Sequence, residues 1–191
     1  MNIHSIDKNQ ILNIVKQNTV KSRFEHTLRV ADLAGKLAIH YGVDVDKTWL
    51  AAILHDLKKN ISLDDNDRLV KKYGLDDKYI GNKNLSHSKL AAVVSRDKLG
   101  IDDEDILNAI AFHTTGRANM SMLEKIIFVA DTCEEGRTYK EASMLRKQAF
   151  EDIDGVCIFI LEFLKASVES KGLVLDEDTI KALRYLKEKR V

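Results

Sequence analysis

Apolar residues recur at three- and four-residue spacing along most of the chain, and no stretch alternates apolar with polar residues long enough to predict a strand. Three helices announce themselves by a Ser or Thr followed three residues later by Glu, the signature of a capping box. One opens at Ser22 with Glu25 and closes at Gly42; a second opens at Ser121 with Glu124 and stops at Gly136; a third opens at Thr138 with Glu141 and runs towards Ile153. In the first, Phe24, Leu28, Ala31, Leu37, Ala38 and Tyr41 fall on one face and predict a buried stripe. Further helices are predicted around residues 7–18, 46–59, 63–73, 86–98, 103–113, 154–170 and 177–189. Short joints rich in Gly, Asn and Asp separate them, such as "KYGLDD", "KLGIDDED" and "HTTGRANM", and the chain contains no proline. The pattern predicts one compact all-α domain over residues 1–191, with a core at roughly 20–175 and a last helix, 177–189, packed on it.

Several apolar runs end in the same way. "WLAAILHDLKKN" carries Trp49 to Leu54 into a core and then presents His55 and Asp56, placed by the pattern in the third helix. The helix "DILNAIAFH" ends on His113, "KIIFVA" is followed by Asp131, His87 begins the helix "HSKLAAVVS", and His26 stands beside Phe24 early in the second helix. A lone buried histidine is more often a core residue with its hydrogen bonds met than a ligand; His4, in a polar N-terminal tail, and His40, near a helix C-terminus where it can complement the macrodipole, are likewise given no ligand role. A buried aspartate is harder to dismiss, because an unpaired carboxylate in a core costs several kcal/mol. No Arg or Lys is obvious inside either apolar run, Trp49 to Leu54 or Ile126 to Ala130, so Asp56 and Asp131 each need a cation from elsewhere. Imidazoles and carboxylates together suit a divalent first-row metal such as Fe, Mn, Co, Ni or Zn, whereas Ca and Mg favour an all-oxygen set. A carboxylate flanked by several imidazoles can also bridge two ions.

Composition narrows the partners. Thirty basic residues balance thirty acidic ones, and apolar residues make up 45% of the 191. No global charge steers the chain to a nucleic acid polymer, and no run approaches the ~20 apolar residues of a membrane helix. The start, "MNIHSIDKNQ", has no signal pattern, so the expected location is cytoplasmic. The two cysteines, Cys133 and Cys157, have no metal-binding spacing and read as core thiols. Phe159, Leu161 and Phe163 give their helix more apolar surface than one stripe requires, which points to a homodimer or to a wider core.

The segments "RFEHTLRVADLA", "LHDLKK", "LSHS" and "FHTTGRANMSMLEKIIFVADTCEEGR" resemble the HD-domain metal-dependent phosphohydrolases. Their "HTTGR" to "EKIIFVAD" portion, followed by Gly136 and Arg137, is most similar to the branch of symmetrical bis(5'-nucleosyl)-tetraphosphatases. The resemblance implies a helical HD fold, one or two iron ions, and hydrolysis of diadenosine tetraphosphate to two ADP by a metal-bound hydroxide. It implies metal ligation by His26, His55, Asp56 and Asp131, with His87 and His113 serving a second metal or the phosphates. Asp56, His87 and His113 are its catalytic residues. Nucleotide contacts fall to Lys59, Thr114, Arg137 and the turn Gly172, Leu173 and Val174. Two positions depart from the family pattern: Glu135 replaces an expected proline and adds negative charge beside Arg137, and Lys89 stands where a small residue or proline is usual. Other activities of the same superfamily, namely 5'-nucleotidase, deoxynucleoside triphosphatase or guanosine tetraphosphate hydrolase, would share the metal core, and a non-catalytic nucleotide-binding module would be expected to have lost a ligand.

Overall fold

A computed structural model describes residues 7–190, and among these it contains helices and turns but no strand. The ten α-helices are α1 (Lys8–Asn18), α2 (Lys21–Tyr41), α3 (Val45–Leu54), α4 (Leu63–Lys72), α5 (Lys83–Leu99), α6 (Glu104–Phe112), α7 (Met122–Cys133), α8 (Ala142–Gln148), α9 (Ile153–Glu169) and α10 (Glu177–Glu188). A 3₁₀ turn, Asp77–Tyr79, sits between α4 and α5. The all-α expectation holds, and α10 packs on α9. His4 lies outside the described residues. None of the described helices is long and apolar enough to cross a membrane.

The centre of the bundle is α3. Asp44 caps its start by accepting from the amides of Asp46 and Lys47, and Leu50, Ala51, Ala52, Ile53 and Leu54 are then buried without interruption. Five consecutive buried residues cover every face of a helix, since neighbours differ by about 100°. Accordingly α2, α5, α6 and α7 all pack around α3. The helix stops at Leu54, short of the predicted 59, so His55 and Asp56 stand in the turn that leaves its buried end. Lys59 donates its amide to Asp56 O at 2.9 Å within that turn.

Only one of the three predicted capping boxes forms. Ser121 accepts from the Glu124 amide while the Glu124 side chain reaches back to the Ser121 amide. The first helix begins earlier, at Lys21 after Val20, which leaves Ser22 inside it; the third begins later, at Ala142 after Glu141, with no side-chain cap. The buried face of α2 also differs from the predicted stripe. It runs through His26, Thr27, Val30, Leu33, Ala34, Leu37 and Ala38, and Leu28 is exposed. Tertiary packing shifts the face so that His26 enters the interior. Gly42 closes α2 at φ 67°, a left-handed conformation that glycine adopts without a Cβ clash.

Candidate active site

The five elements around the buried end of α3 bring all six predicted His and Asp ligands together. His26 comes from the second turn of α2, His55 and Asp56 from the turn after α3, His87 from α5, His113 from the C-terminal end of α6 and Asp131 from α7. His87 occupies the second turn of α5, because that helix starts at Lys83 and not at 86. All four imidazoles and Asp56 are buried, and Asp131 is partly exposed.

Their outer nitrogens decide what the inner ones can do. His55 Nδ1 lies 2.6 Å from Ala52 O, His87 Nδ1 lies 3.0 Å from Lys83 O, and His113 Nδ1 lies 2.8 Å from Ile110 O. A carbonyl can only accept, so each Nδ1 carries the proton and each neutral ring turns an Nε2 lone pair inward. His26 reaches the same state differently, with Nδ1 3.1 Å from the carboxylate oxygen Oε1 of Glu134.

Asp56 lies between two groups of these nitrogens. Its Oδ2 is 3.3 Å from His55 Nε2 and 3.8 Å from His26 Nε2; its Oδ1 is 3.2 Å from His87 Nε2 and 3.6 Å from His113 Nε2. Asp131 Oδ1 stands 3.0 Å from His26 Nε2 and 3.9 Å from His55 Nε2. Two sets of ligand atoms are tight enough to share one ion: His26, His55 and Asp131, and His55, Asp56 and His113. Neighbouring ligands of a metal with bonds of about 2.1 Å stand roughly 3.0–3.4 Å apart, which matches the shorter of these separations.

The donor set fits a metal on its own chemistry. His26 Nε2, His55 Nε2 and Asp56 Oδ1 are buried and make no hydrogen bond, and His87 Nε2 faces His113 Nε2 at 3.2 Å. Lone pairs and carboxylates converging in this way repel one another unless a cation or a proton lies among them. Both aspartates are held well below the usual carboxylate range, because the surrounding imidazoles outweigh the burial that would raise them. His55 is shifted up for the converse reason: burial opposes its protonation, and Asp56 and Asp131 overcome it. His87 is lowered to about 4, by burial and then by His113 and Lys59, and stays neutral at pH 7.

Cations reach the aspartates after all, from neighbouring elements and not from within their own apolar runs. Arg23, one turn before His26, donates to Asp56 Oδ2 at 2.9 Å. Arg137, on the loop after α7, donates through Nε to Asp131 O and through Nη2 to Asp131 Oδ1, each at 3.0 Å. Lys59 completes the group with Nζ 3.4 Å from His87 Nε2, its pKa lowered mainly by burial. Neither guanidinium touches the inward nitrogens, so the orphaned lone pairs remain.

The sequence reading missed Arg23, Arg29 and Glu134. Glu134 is buried at the C-terminal end of α7, where Oε2 accepts from Arg29 Nε at 2.5 Å and from the Gly136 amide. A signal was available: Arg23, His26 and Arg29 share one face of α2 at three-residue spacing. Glu135, the departure next to Arg137, is exposed and its field falls on Lys36, so it leaves the Arg137–Asp131 contacts intact. Lys89, the other departure, is buried with Nζ 3.3 Å from the Phe112 ring centroid and 3.5 Å from Asp178. Thr114 meets Ser88 through their hydroxyls at 3.2 Å, beside His113. Gly172, Leu173 and Val174 lie on the exposed loop between α9 and α10, with Val174 95% exposed, and make no described hydrogen bond to the cluster. Cys133 and Cys157 are buried free thiols pushed up by burial, and neither belongs to a candidate metal group among the described residues. Phe159 and Phe163 stay exposed while Leu161 joins the core.

Acid should loosen this region. Burial alone would raise the Glu134 carboxyl, but hydrogen bonds from Arg29, His26 and the Gly136 amide lower it from 4.5 to about 2. Its stabilising contribution is complete above its ordinary value and is lost as pH falls through the lowered one. Chelator-treated protein followed by circular dichroism should lose stability between about pH 5 and about pH 2, more steeply than Glu134→Gln does.

A buried His–Asp cluster at the end of a central helix, ringed by other helices, is the arrangement of a helical metal-site domain. Residues 23–136 match the HD domain family, and the chain belongs to that family. It is 40% identical over 182 residues to the symmetrical bis(5'-nucleosyl)-tetraphosphatase of Halalkalibacterium halodurans, covering 95% of this chain and 97% of that protein. The Staphylococcus aureus protein of the same name is 33% identical, with 90% of each chain covered. A solved structure from Clostridium acetobutylicum, described as a predicted HD superfamily hydrolase involved in NAD metabolism, superposes with a TM-score of 0.91. The two are 37% identical, over 96% of this chain and 98% of that one.

Proposed function

We propose that the chain hydrolyses diadenosine tetraphosphate symmetrically to two ADP, with a divalent transition metal, iron by family resemblance, held by His26, His55, Asp56 and Asp131. The observation that carries this reading is the convergence of four imidazole Nε2 atoms and Asp56 beside three cationic side chains. The names of relatives that match nearly the whole chain support the substrate. Asp56 turns one oxygen towards His26 and His55 and the other towards His87 and His113, which supports assigning a second ion or a phosphate oxygen to the His87–His113 side.

A divalent ion in such a donor set draws charge from phosphate oxygens and lowers the pKa of water towards neutrality. The chain supplies the remaining work. Lys59, Arg23 and Arg137 border the cluster, where they offset the negative charge that builds on the transferring phosphoryl oxygens. Water adds to one of the two central phosphorus atoms and gives up a proton to solvent, the bridging P–O bond breaks in line, and the electron pair leaves with ADP. ADP is a weak base, so no strong general acid is required. His87, neutral at pH 7, suits ligation or acceptance of a hydrogen bond better than proton donation. Thr114 and the Gly172–Val174 loop are assigned to the nucleoside; Lys78 to Asp176 at 3.0 Å and Lys89 to Asp178 at 3.5 Å anchor the helix that follows that loop.

The test pairs metal analysis of anaerobically purified protein with a nucleotide panel and product identification. Two ADP from diadenosine tetraphosphate is the expected result. Nucleoside plus phosphate from a mononucleotide, tripolyphosphate from a deoxynucleoside triphosphate, or pyrophosphate from guanosine tetraphosphate as the dominant activity would overturn it. Arg137→Ala should raise KM and lower kcat/KM by roughly 10-fold or more, the loss of a charged hydrogen bond of about 1.5–3 kcal/mol, while metal content is unchanged.

A further inference from the structure

The four inward-facing histidines are not oriented alike. His55, His87 and His113 each use a backbone carbonyl three or four residues earlier in the same segment, so their ring orientation follows from local structure. His26 depends on a side chain 108 positions away, Glu134. That carboxylate is fully committed. Oε1 takes His26 Nδ1 at 3.1 Å and Arg29 Nη2 at 3.4 Å, while Oε2 takes Arg29 Nε at 2.5 Å and the amide of Gly136. Arg146 clamps the backbone around it, donating to Cys133 O at 2.7 Å and Glu134 O at 2.9 Å. One residue beyond Gly136, Arg137 reaches back to Asp131.

We infer that Glu134 is a positioning residue that joins the two halves of the site: it aims His26 at the metal, and through Arg29 and Gly136 it holds the turn that delivers Arg137 to the phosphates. The inference rests on the function proposed above. A carboxylate partner both fixes the imidazole tautomer and makes its far nitrogen a stronger ligand than a carbonyl partner does. Every group that Glu134 touches through its side chain is a donor, so the site requires two acceptor oxygens. Glutamine offers only one. Its oxygen is best satisfied where Arg29 and the Gly136 amide converge, which turns the amide NH₂ towards His26 Nδ1. The imidazole then shifts its proton to Nε2 and loses its inward lone pair.

Gly136 separates the two halves. A Cβ there would have its three nearest contacts on Arg29, 2.6 Å from Nε and Nη2, so Gly136→Ala acts first by displacing the guanidinium from Glu134. The arginine can move, being the end of a flexible side chain, but the turn loses its tie.

The experiment titrates chelator-treated protein with Mn²⁺ and then, at saturating Mn²⁺, with ADP. Glu134→Gln should weaken Mn²⁺ binding by roughly 10- to 100-fold, the range seen when a ligand's supporting carboxylate is changed. Gly136→Ala should hold Mn²⁺ within about twofold of the wild type and weaken ADP binding several-fold, a division that general loosening of the fold would not produce. Wild-type Mn²⁺ affinity in Glu134→Gln, or equal Mn²⁺ losses in both variants, would overturn the inference. Should Glu134→Gln fail to fold, unchanged ADP affinity in Gly136→Ala overturns it alone. The Mn²⁺ arm reads Glu134 even if the wild type cleaves no dinucleoside tetraphosphate, an outcome that would sink the proposed function only; a wild type that takes up no Mn²⁺ sinks both.

Discussion

Asp56→Asn is expected to remove metal and turnover together, leaving a folded protein whose kcat/KM is lower by about 10³-fold or more. The substitution keeps size and shape, so it creates no cavity beside the buried end of α3. What changes is the number of acceptors. Asp56 Oδ2 serves Arg23 and faces His55, while Oδ1 faces His87 and His113, and an amide can present an oxygen on one side only. If the oxygen stays with Arg23, the NH₂ group points at the two histidine lone pairs and occupies them as a donor. If it turns the other way, two donors confront each other at Arg23. Either way the site no longer presents a carboxylate oxygen to both groups of histidines. Metal stabilisation of phosphoryl charge is worth several kcal/mol, and each ~1.4 kcal/mol is a factor of ten in rate. Elemental analysis, steady-state kinetics and circular dichroism on one preparation give the answer, and full metal with full turnover would sink the scheme.

Phe128→Ala should produce the largest loss of stability. Phe128 is 1% exposed at the middle of α7, one turn before Asp131, and α7 packs against α2, α3, α6, α8 and α9. Truncating a buried phenylalanine costs about 3–5 kcal/mol, from the lost transfer energy and the cavity left behind. That is a large part of the roughly 5–15 kcal/mol by which a domain of this kind is stable. For a chain of this length each kcal/mol moves Tm by about 2–4 °C, so a fall of roughly 6–20 °C is expected. Saturating metal should restore part of it, because binding to the native state adds about 2.7 kcal/mol at one hundred times Kd. A fall in Tm of less than about 3 °C would show that the helix re-packs around the gap.

Both predictions rest on elements whose readability in the sequence differed. The core of α3 and the residues that end it were legible because an uninterrupted apolar run has one destination, and a charge at its end must then be explained. Asp131 followed from the same logic. Arg23 was legible only through its three-residue spacing with His26 and Arg29, and Glu134 was not legible, because nothing in the sequence distinguishes it from its neighbour. Glu134 and Glu135 are adjacent and chemically alike, yet one is buried among donors and the other faces solvent. The backbone turn where α7 ends decides which, and that turn is fixed by Arg146 and Arg29 from other helices. The capping signals teach the same point. Ser22–Glu25, Ser121–Glu124 and Thr138–Glu141 are equivalent as text, but only the second forms a box. A cap contributes about 1 kcal/mol, less than the packing that sets where α2 and α8 begin.

The six candidate ligand side chains are drawn from five separate elements, and for the proposed metal site that dispersal has a kinetic consequence. No single one of these elements contributes more than two candidate donors, so an ion held there would be free to leave when an element carrying its ligands opens. Release of metal to an excess of strong chelator would then run at the pace of the least stable contributor and not at the pace of global unfolding. The bound ion thus serves as a clock for the native ensemble: its escape rate, compared with amide exchange in α2, α5, α6 and α7, would show which helix lets go first.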